Sequence, residues 1–204
     1  MNHDAAATLT GSVYDRVHRA RLVPVIRVKD GGSALGLVDR LLPAGLDVIE
    51  VTTTIDGWDE VIATLRDRNP EACVGAGTIT SAAFAQRAAE VGAQFCVSPR
   101  IVPQARAALV ATGVPFIEGG LTPTEVLGAA EHGVAKLFPA HVGGVSYLKS
   151  LLAVAPTARI MPTGGIPLTG AAEWLAAGAF AVGIGGDLTA PGDIAARVTE
   201  ALDP

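Results

Sequence analysis

The sequence has few cysteines, few aromatic residues and no long apolar run. Its two cysteines, Cys73 and Cys96, are too few for a disulfide framework and lack metal-ligand spacing. Only 17% of the 204 residues are charged and 50% are hydrophobic, whereas disordered chains are apolar-poor and charge-rich. The longest uncharged stretch, Ala72 to Gln86, contains glycines and is shorter than the ~20 apolar residues of a membrane-spanning helix. We therefore expect a globular protein that does not span a membrane.

Positive charge is also scarce. Fifteen Lys and Arg residues against twenty Asp and Glu residues give a net charge of −5, which argues against nucleic-acid binding. The start of the chain, Met1 to Asp4, lacks the basic region and apolar core of a signal peptide, so we expect a cytoplasmic protein. The four histidines, at positions 3, 18, 132 and 141, show no paired-ligand spacing, and no metal site is predicted.

What the chain has instead is a recurring short run of Val and Ile, bounded by Gly, Pro or Ser. Such runs predict buried parallel strands. Amphipathic segments between them, such as Ser33–Leu42, Ala82–Val91 and Thr169–Ala177, predict helices. The eight predicted strands are Leu22–Val28, Leu46–Thr52, Ala72–Gly77, Gln94–Ser98, Val114–Ile117, Val134–Phe138, Arg159–Pro162 and Phe180–Ile184.

Eight even strand–helix units predict an α/β fold, a single (β/α)8 TIM barrel that spans residues 1–204. Leucine-rich repeats have a similar period, but their L-x-x-L-x-L signature is absent, and a doubly wound sheet rarely has eight even units. Leu9, Val13 and Val17 are spaced four apart and predict an extra N-terminal helix over Leu9–Ala20. Residues 1–8 are expected to be flexible. In such barrels the chemistry lies at the carboxyl ends of the strands.

Two ionisable residues lie within predicted strands. Lys136 is in the apolar sixth strand, where an ammonium group is costly unless it is paired or deprotonated. Desolvation favours the neutral amine, which is a nucleophile, although a structural pairing with a buried acid is the alternative. Glu50, in the second strand, shares a face with Val48 and Thr52 and is predicted to point into the barrel. It is a candidate general acid/base, an ion-pair partner for Lys136 or Arg27, or both.

Arg27 and two glycine-rich turns are candidates for anion binding. A guanidinium at the end of the first strand suits a carboxylate or phosphate, or alternatively an internal ion pair. Loops after the seventh and eighth strands of many barrels bind phosphate through backbone N–H groups. The corresponding turns contain Gly164 with Gly165, and Gly185 with Gly186, and ordinary turns between elements are the alternative interpretation.

Seven motifs in the same order make the chain, from about Val23 to Ala201, resemble the 2-keto-3-deoxy-6-phosphogluconate aldolases, which overlap with the 4-hydroxy-2-oxoglutarate aldolases. The motifs are Pro24-Val-Ile-Arg27, Val48-Ile-Glu-Val-Thr52, Val74-Gly-Ala-Gly-Thr78, Phe95-Cys-Val-Ser-Pro99, Leu121-Thr-Pro-Thr-Glu125, Lys136-Leu-Phe-Pro139 and Met161-Pro-Thr-Gly-Gly165.

The resemblance implies a class I mechanism without a cofactor. It makes Lys136 the Schiff-base lysine and Glu50 the acid that shuttles protons. It matches Thr78, Pro99, Phe138 and Thr163 to positions that line the substrate. The implied substrate is a 2-keto acid that is cleaved to pyruvate and an aldehyde, and the implied assembly is a homotrimer.

Three departures from the family pattern concern the binding of anions. Thr54 stands where many members have an arginine, so Arg27 is expected to bind the substrate carboxylate instead. Gly186 replaces a usual serine and is followed by Asp187, and Glu118 precedes Gly119 where Pro-Gly is usual. If Asp187 and Glu118 both lie near the phosphate site, they predict a weaker preference for phosphorylated substrates than in typical members.

Three alternatives remain from the sequence. One is a related aldolase that acts on a non-phosphorylated 2-keto acid. Another is a phosphosugar epimerase, against which the interior Lys136 argues. A third is a non-catalytic trimeric barrel that binds a keto acid, which the presence of both Lys136 and Glu50 makes less attractive.

Overall fold

The computed structural model describes residues 13–190 and 192–202, and these residues form an eight-stranded parallel barrel. Each strand is followed by a helix. The strands are β1 (Leu22–Ile26), β2 (Val48–Thr52), β3 (Cys73–Gly77), β4 (Cys96–Val97), β5 (Phe116–Gly120), β6 (Val134–Leu137), β7 (Arg159–Pro162) and β8 (Val182–Ile184). The helices after α1 (residues 13–20) are α2 (Gly31–Leu41), α3 (Trp58–Arg68), α4 (Ala82–Glu90), α5 (Pro103–Val110), α6 (Pro123–Ala130), α7 (Gly144–Val154), α8 (Ala171–Ala176) and α9 (Ile194–Leu202).

The strands follow one another around the barrel in sequence order, and β1 pairs with both β2 and β8. A parallel bridge between Thr163 and Gly183 closes the remaining seam between β7 and β8. Below this bridge, the N–H of Phe180 donates to the carbonyl oxygen of Ile160 at 2.8 Å. The predicted α/β class and (β/α)8 barrel are therefore confirmed.

The extra helix α1 covers the amino-terminal end of the barrel. Val13, Tyr14 and Val17 are buried against a cluster of interior side chains to which every strand region contributes. The cluster consists of Val23, Val48, Cys73, Phe95, Val97, Ile117, Val134, Met161 and Ala181. The helix expected over Leu9–Ala20 is thus present from residue 13 onward, whereas its first residues and the expected flexibility of 1–8 lie outside the described residues.

Several strand limits differ from the sequence-based expectation. β1 ends at Ile26, so Arg27 is the first residue after the strand rather than part of it. β4 is reduced to Cys96–Val97, and β5 runs later than expected, from Phe116 to Gly120. These strands are buried on both faces, so their sequences contain no regular alternation of polar and apolar residues that marks where pairing starts.

Helix starts, by contrast, carry clear local signals. Asp30 caps α2 by accepting a hydrogen bond from the Ser33 N–H at 2.9 Å. Thr122 and Glu125 form a reciprocal capping box at the start of α6. No described helix is both long enough and apolar enough to cross a membrane.

A glycine in a strand leaves room in the barrel interior for a large neighbouring side chain. Gly75 of β3 faces the ring of Phe95, and a Cβ at position 75 would lie 2.5 Å from three ring atoms. Phe95 is fully buried, so its ring cannot swing into open space. The glycine therefore sets the room available for the largest side chain of the interior cluster.

Replacing Gly75 by Ala is expected to lower the free energy of unfolding by about 1–3 kcal/mol, because the added methyl overpacks the barrel against Phe95. The matched control is Gly36→Ala in α2, where a Cβ meets nothing within 4 Å. That variant should raise the free energy of unfolding by about 0.5–1 kcal/mol, as glycine is unfavourable inside a helix. Urea unfolding of both variants measures the two changes, and a Gly75→Ala variant as stable as the parent would contradict this account of the packing.

Candidate active site

A buried lysine–glutamate pair lies at the centre of the barrel. Lys136 comes from β6 and Glu50 from β2, which are opposite one another around the barrel. The Lys136 Nζ lies 3.3 Å from Oε1 and 3.5 Å from Oε2 of Glu50. Lys136 is 5% exposed and Glu50 is 0% exposed, so water does little to stabilise either charge. The sequence left Lys136 and Arg27 open as ion-pair partners of an inward-pointing Glu50, and in the structure the partner is Lys136.

The neighbouring strand leaves room for the Glu50 carboxylate. Gly77 ends β3 beside β2, and a Cβ at position 77 would lie 2.1 Å from Glu50 Oε1. Any larger residue would displace the carboxylate from Lys136. Gly183 of β8 has the same relation to Thr163, since a Cβ there would lie 2.3 Å from Thr163 Oγ1. The absence of side chains at Gly77 and Gly183 therefore leaves the space that Glu50 and Thr163 occupy in the interior.

Above the pair, a cavity of about 580 Å³ opens at the carboxyl ends of the strands. The ring of Phe138, whose centroid is 5.6 Å from the Lys136 Nζ, is part of its wall. Most of the residues predicted from the sequence line this cavity: Arg27, Lys136, Phe138, Thr163, Gly164, Gly165, Gly185 and Gly186. The structure therefore brings together residues from β1, β6, β7 and β8 that are far apart in the sequence.

Arg27 is held at the rim by two threonines. Its Nη1 donates to Thr54 Oγ1 and its Nη2 to Thr78 Oγ1, each at 3.2 Å. Thr78 adopts a φ of +62°, a left-handed conformation that a β-branched residue rarely takes. Thr78, predicted to line the substrate, therefore contacts the site through Arg27, and the guanidinium lies beside Thr54.

Pro99, like Glu50 and Thr78, is a predicted residue that the cavity wall does not include. It packs on the other side of the mouth against β5, where a Cβ at Gly119 would lie 2.5 Å from the Pro99 carbonyl carbon. Ser98, just before it, donates to the carbonyl oxygen of Arg100 at 2.6 Å. The structure therefore places Pro99 at the barrel mouth with its backbone tightly fixed.

The glycine-rich turns after β7 and β8 face the cavity. Gly164 and Gly165 have φ values of +95° and +71°, which turn the backbone sharply there. Gly186 begins a 3-10 helix, Gly186–Thr189. Among the described residues, none accepts a hydrogen bond from the N–H groups of Gly164, Gly165 and Gly186. These donors suit an anionic oxygen.

The two carboxylates expected beside these turns are placed differently. Glu118 lies on the outer face of β5, where it accepts from the Val102 N–H at 2.8 Å and pairs with Arg106 of α5. The prediction that Glu118 lies near the anion site is therefore wrong, because its register on β5 directs it toward the helices. Asp187 does line the cavity, but its Oδ2 accepts from the Leu168 N–H at 2.7 Å and its Oδ1 is 3.5 Å from Arg197 Nη2. Arg197 offsets much of its charge.

The cysteines offer no competing nucleophile. Burial raises the pKa of the Cys73 thiol to about 11 and that of Cys96 to about 12. Both side chains stay protonated at neutral pH and are therefore poor nucleophiles. In residues 13–190 and 192–202, no three His, Cys, Asp or Glu side chains are grouped so that they could hold a metal ion.

Sequence reasoning missed the contribution of three residues to the site. Thr52 and Thr54 hydrogen-bond to each other at 2.9 Å and support Arg27, although they resemble ordinary strand-end threonines in the sequence. His141 packs on the turn after β7, where its ring is 2.5 Å from the position of a Cβ at Gly165. No spacing rule connects these residues to the site, since each contact depends on how two loops meet.

A parallel eight-stranded barrel whose mouth holds a buried lysine beside a glutamate and a cluster of anion-binding groups has the features of the lysine-dependent aldolases. Residues 13–200 match the family described as KDPG and KHG aldolase. The chain belongs to this family and is therefore an aldolase, a carbon–carbon lyase.

Individual relatives agree with this assignment. The 2-dehydro-3-deoxy-phosphogluconate aldolase of Treponema pallidum is 36% identical over 168 residues, which cover 81% of this chain and 80% of that protein. The 2-keto-3-deoxy-6-phosphogluconate aldolase of Zymomonas mobilis ZM4, solved with 3-phosphoglycerate, has a TM-score of 0.79 at 31% identity and covers 93% and 95% of the two chains. The KDPG aldolase of Legionella pneumophila, solved with pyruvate as a covalent carbinolamine, has a TM-score of 0.78 at 27% identity, with 95% and 93% covered.

Proposed function

We propose that this chain is a class I aldolase that cleaves 2-keto-3-deoxy-6-phosphogluconate, 4-hydroxy-2-oxoglutarate or both to pyruvate and an aldehyde. The observation that carries the proposal is the buried Lys136 Nζ, 3.3 Å from the Glu50 carboxylate at the base of the cavity. A nucleophile beside a group that can accept its proton is what covalent catalysis on a carbonyl requires. Membership of the aldolase family supports the same chemistry.

In the first half of the reaction, Lys136 forms the covalent bond to the substrate. The neutral amine attacks the C2 carbonyl of the keto acid, after its proton has passed to the Glu50 carboxylate beside it. Glu50 returns this proton to the hydroxyl of the resulting carbinolamine, which leaves as water, so that a protonated imine forms and the Glu50 carboxylate is restored. The imine nitrogen draws electrons from the neighbouring bonds, so the reaction needs no metal ion as an electron sink. The carbinolamine of the Legionella relative supports this step.

In the second half, Glu50 moves the protons. Its carboxylate, acting through a water molecule, takes the proton of the C4 hydroxyl as the C3–C4 bond breaks and the aldehyde forms. The electron pair of that bond passes to C3 and the imine nitrogen, leaving the enamine of pyruvate on Lys136. Protonation at C3 and hydrolysis of the imine then release pyruvate and restore the amine.

The cavity wall supplies the binding groups. Arg27 binds the substrate carboxylate, since its guanidinium is held at the rim and faces the same cavity as Lys136. Thr78 holds Arg27, Thr163 and Phe138 shape the space around the reacting carbons, and Pro99 borders the barrel mouth beside β5. The N–H groups of the Gly164–Gly165 and Gly185–Gly186 turns hold the phosphate or carboxylate at the far end of the substrate.

We further propose that the enzyme works as a single-domain protein in the cytoplasm and assembles as a homotrimer. The resemblance to the family supports the trimer. The two buried free thiols, Cys73 and Cys96, fit a reducing compartment. Light scattering of the purified protein gives the assembled mass, and a monomer at micromolar concentration would contradict the trimer.

Pyruvate with borohydride should label Lys136 and no other lysine, because reduction fixes the imine as a stable secondary amine. Mass spectrometry of the digested protein locates the label. Lys149 of α7 is the matched control, since its replacement by Ala should leave the labelling unchanged. Lys136→Ala should abolish both labelling and turnover. Because it leaves the Glu50 carboxylate buried without its partner, the doubly substituted Lys136→Met/Glu50→Gln protein, which has neither charge, is the control for unfolding of the barrel. A label on Lys29 or Lys149 would refute the assignment.

Glu50→Gln is expected to lower kcat by about 10²–10⁴, the usual contribution of a general acid/base. The amide is nearly isosteric with the carboxylate and fits the space that Gly77 leaves, so the fold should persist. Circular dichroism and steady-state kinetics on the same preparation separate the two effects. A kcat equal to that of the parent enzyme would show that Glu50 only balances the charge of Lys136.

The phosphorylated acid should be the better substrate, because amide donors face the cavity and Arg197 offsets the charge of Asp187. We expect kcat/KM for 2-keto-3-deoxy-6-phosphogluconate to exceed that for its dephosphorylated form by about ten- to a hundredfold. Gly186→Ser should increase this ratio by about fivefold through one added hydrogen bond.

The substituted position has space for the serine, since a Cβ at Gly186 meets nothing within 4 Å. Gly128→Ser in α6 is an equally open position far from the cavity and should leave the ratio unchanged. A ratio near one in the parent enzyme would instead favour a non-phosphorylated 2-keto acid as the natural substrate.

A further inference from the structure

A chain of three hydrogen bonds connects the Arg27 side chain to the backbone of its own strand. Thr52, on the inner face of β2, has its Oγ1 2.8 Å from the carbonyl oxygen of Ile26. The Thr54 Oγ1 lies 2.9 Å from Thr52 Oγ1 and 3.2 Å from Arg27 Nη1. The path therefore starts at the residue that precedes Arg27 and returns to the Arg27 guanidinium.

The direction of each hydrogen bond in this chain follows from counting donors. A hydroxyl has one proton to donate, and a carbonyl oxygen can only accept. Thr52 must use its proton on Ile26, so the proton between the two threonines has to come from Thr54. Thr54 then has only lone pairs to offer Arg27, which is what a guanidinium needs, since it has donors and no acceptor. Each group in the chain has the polarity that its neighbour requires.

The partners of Arg27 hold it without neutralising it. Thr54 and Thr78 are uncharged, and no carboxylate of the described residues lies within ion-pair distance of the guanidinium. A guanidinium has five N–H donors, and the two threonines take two of them, one on each terminal nitrogen. The positive charge and the other donors stay available at the wall of the cavity.

We propose that Thr54, oriented by Thr52, is a positioning residue that sets the affinity of the site for the substrate carboxylate by fixing the Arg27 guanidinium. The inference rests on the proposed function, in which Arg27 binds that carboxylate. Thr54 itself does not contact the reacting atoms. Its hydroxyl oxygen accepts a hydrogen bond from the guanidinium of Arg27, which follows β1 directly.

The test uses pyruvate, whose carboxylate is that of the product, and measures the concentration that half-saturates labelling of Lys136 by borohydride. Thr54→Val removes the hydroxyl and keeps the shape. We expect the half-saturating concentration to rise about fivefold, the effect of one hydrogen bond, while the labelling at saturation is unchanged. Thr54→Ser restores the hydroxyl and should return the value to within twofold of the parent. Thr112→Val, which removes an exposed hydroxyl that is bonded to the Leu109 carbonyl at the end of α5, is the matched control.

A double-substitution cycle with Arg27→Met distinguishes positioning from a general structural effect. If Thr54 acts through Arg27, Thr54→Val should have no further effect in the Arg27→Met protein. An equal fivefold effect in both backgrounds would overturn the inference, as would parent-like binding by Thr54→Val. If the parent enzyme fails to label at Lys136, the proposed function itself falls, whereas normal labelling with an unresponsive Thr54→Val overturns only the role of Thr54.

Discussion

The ion pair between Lys136 and Glu50 is the constraint around which the barrel is arranged. Two charges that are nearly inaccessible to water are stable only when they satisfy one another, so β2 and β6 must hold their side chains at hydrogen-bonding distance across the barrel. The absence of a side chain at Gly77 gives the carboxylate its space. A barrel with larger residues on β3 would separate the pair and leave each charge uncompensated.

The barrel interior has two regions. It is apolar toward the amino-terminal ends of the strands and polar toward their carboxyl ends. Phe95 and the side chains of α1 fill the amino-terminal half, where Gly75 leaves room for the ring. Above them, the interior contains the ion pair and Thr163, and then the open cavity. Stability and chemistry therefore occupy different layers of one interior, which is the usual division in barrels of this class.

Sequence reasoning identified the eight strand–helix units, because Val- and Ile-rich runs at an even spacing allow few other folds. It also identified Lys136 and Glu50, since charged residues within apolar strands stand out. It misplaced Glu118, because a strand buried on both faces has no polar alternation to show which residue points inward. It also missed the support of Thr54 for Arg27, which depends on how the ends of β1 and β2 meet, a matter of side-chain geometry rather than sequence pattern.

In the part of the chain that the structure describes, the interior side chains of the strands and α1 together close the amino-terminal end of the barrel. Val13, Tyr14 and Val17 fill the amino-terminal opening, so molecules enter and leave at the mouth above Lys136. After bond cleavage by the proposed chemistry, pyruvate is still attached to the lysine while the aldehyde lies nearer the exit. The aldehyde therefore departs first and pyruvate last, and in the direction of synthesis pyruvate has to arrive before its partner. This order follows from the covalent bond between pyruvate and Lys136, which in the proposed chemistry outlasts the aldehyde, together with the single open end of the barrel.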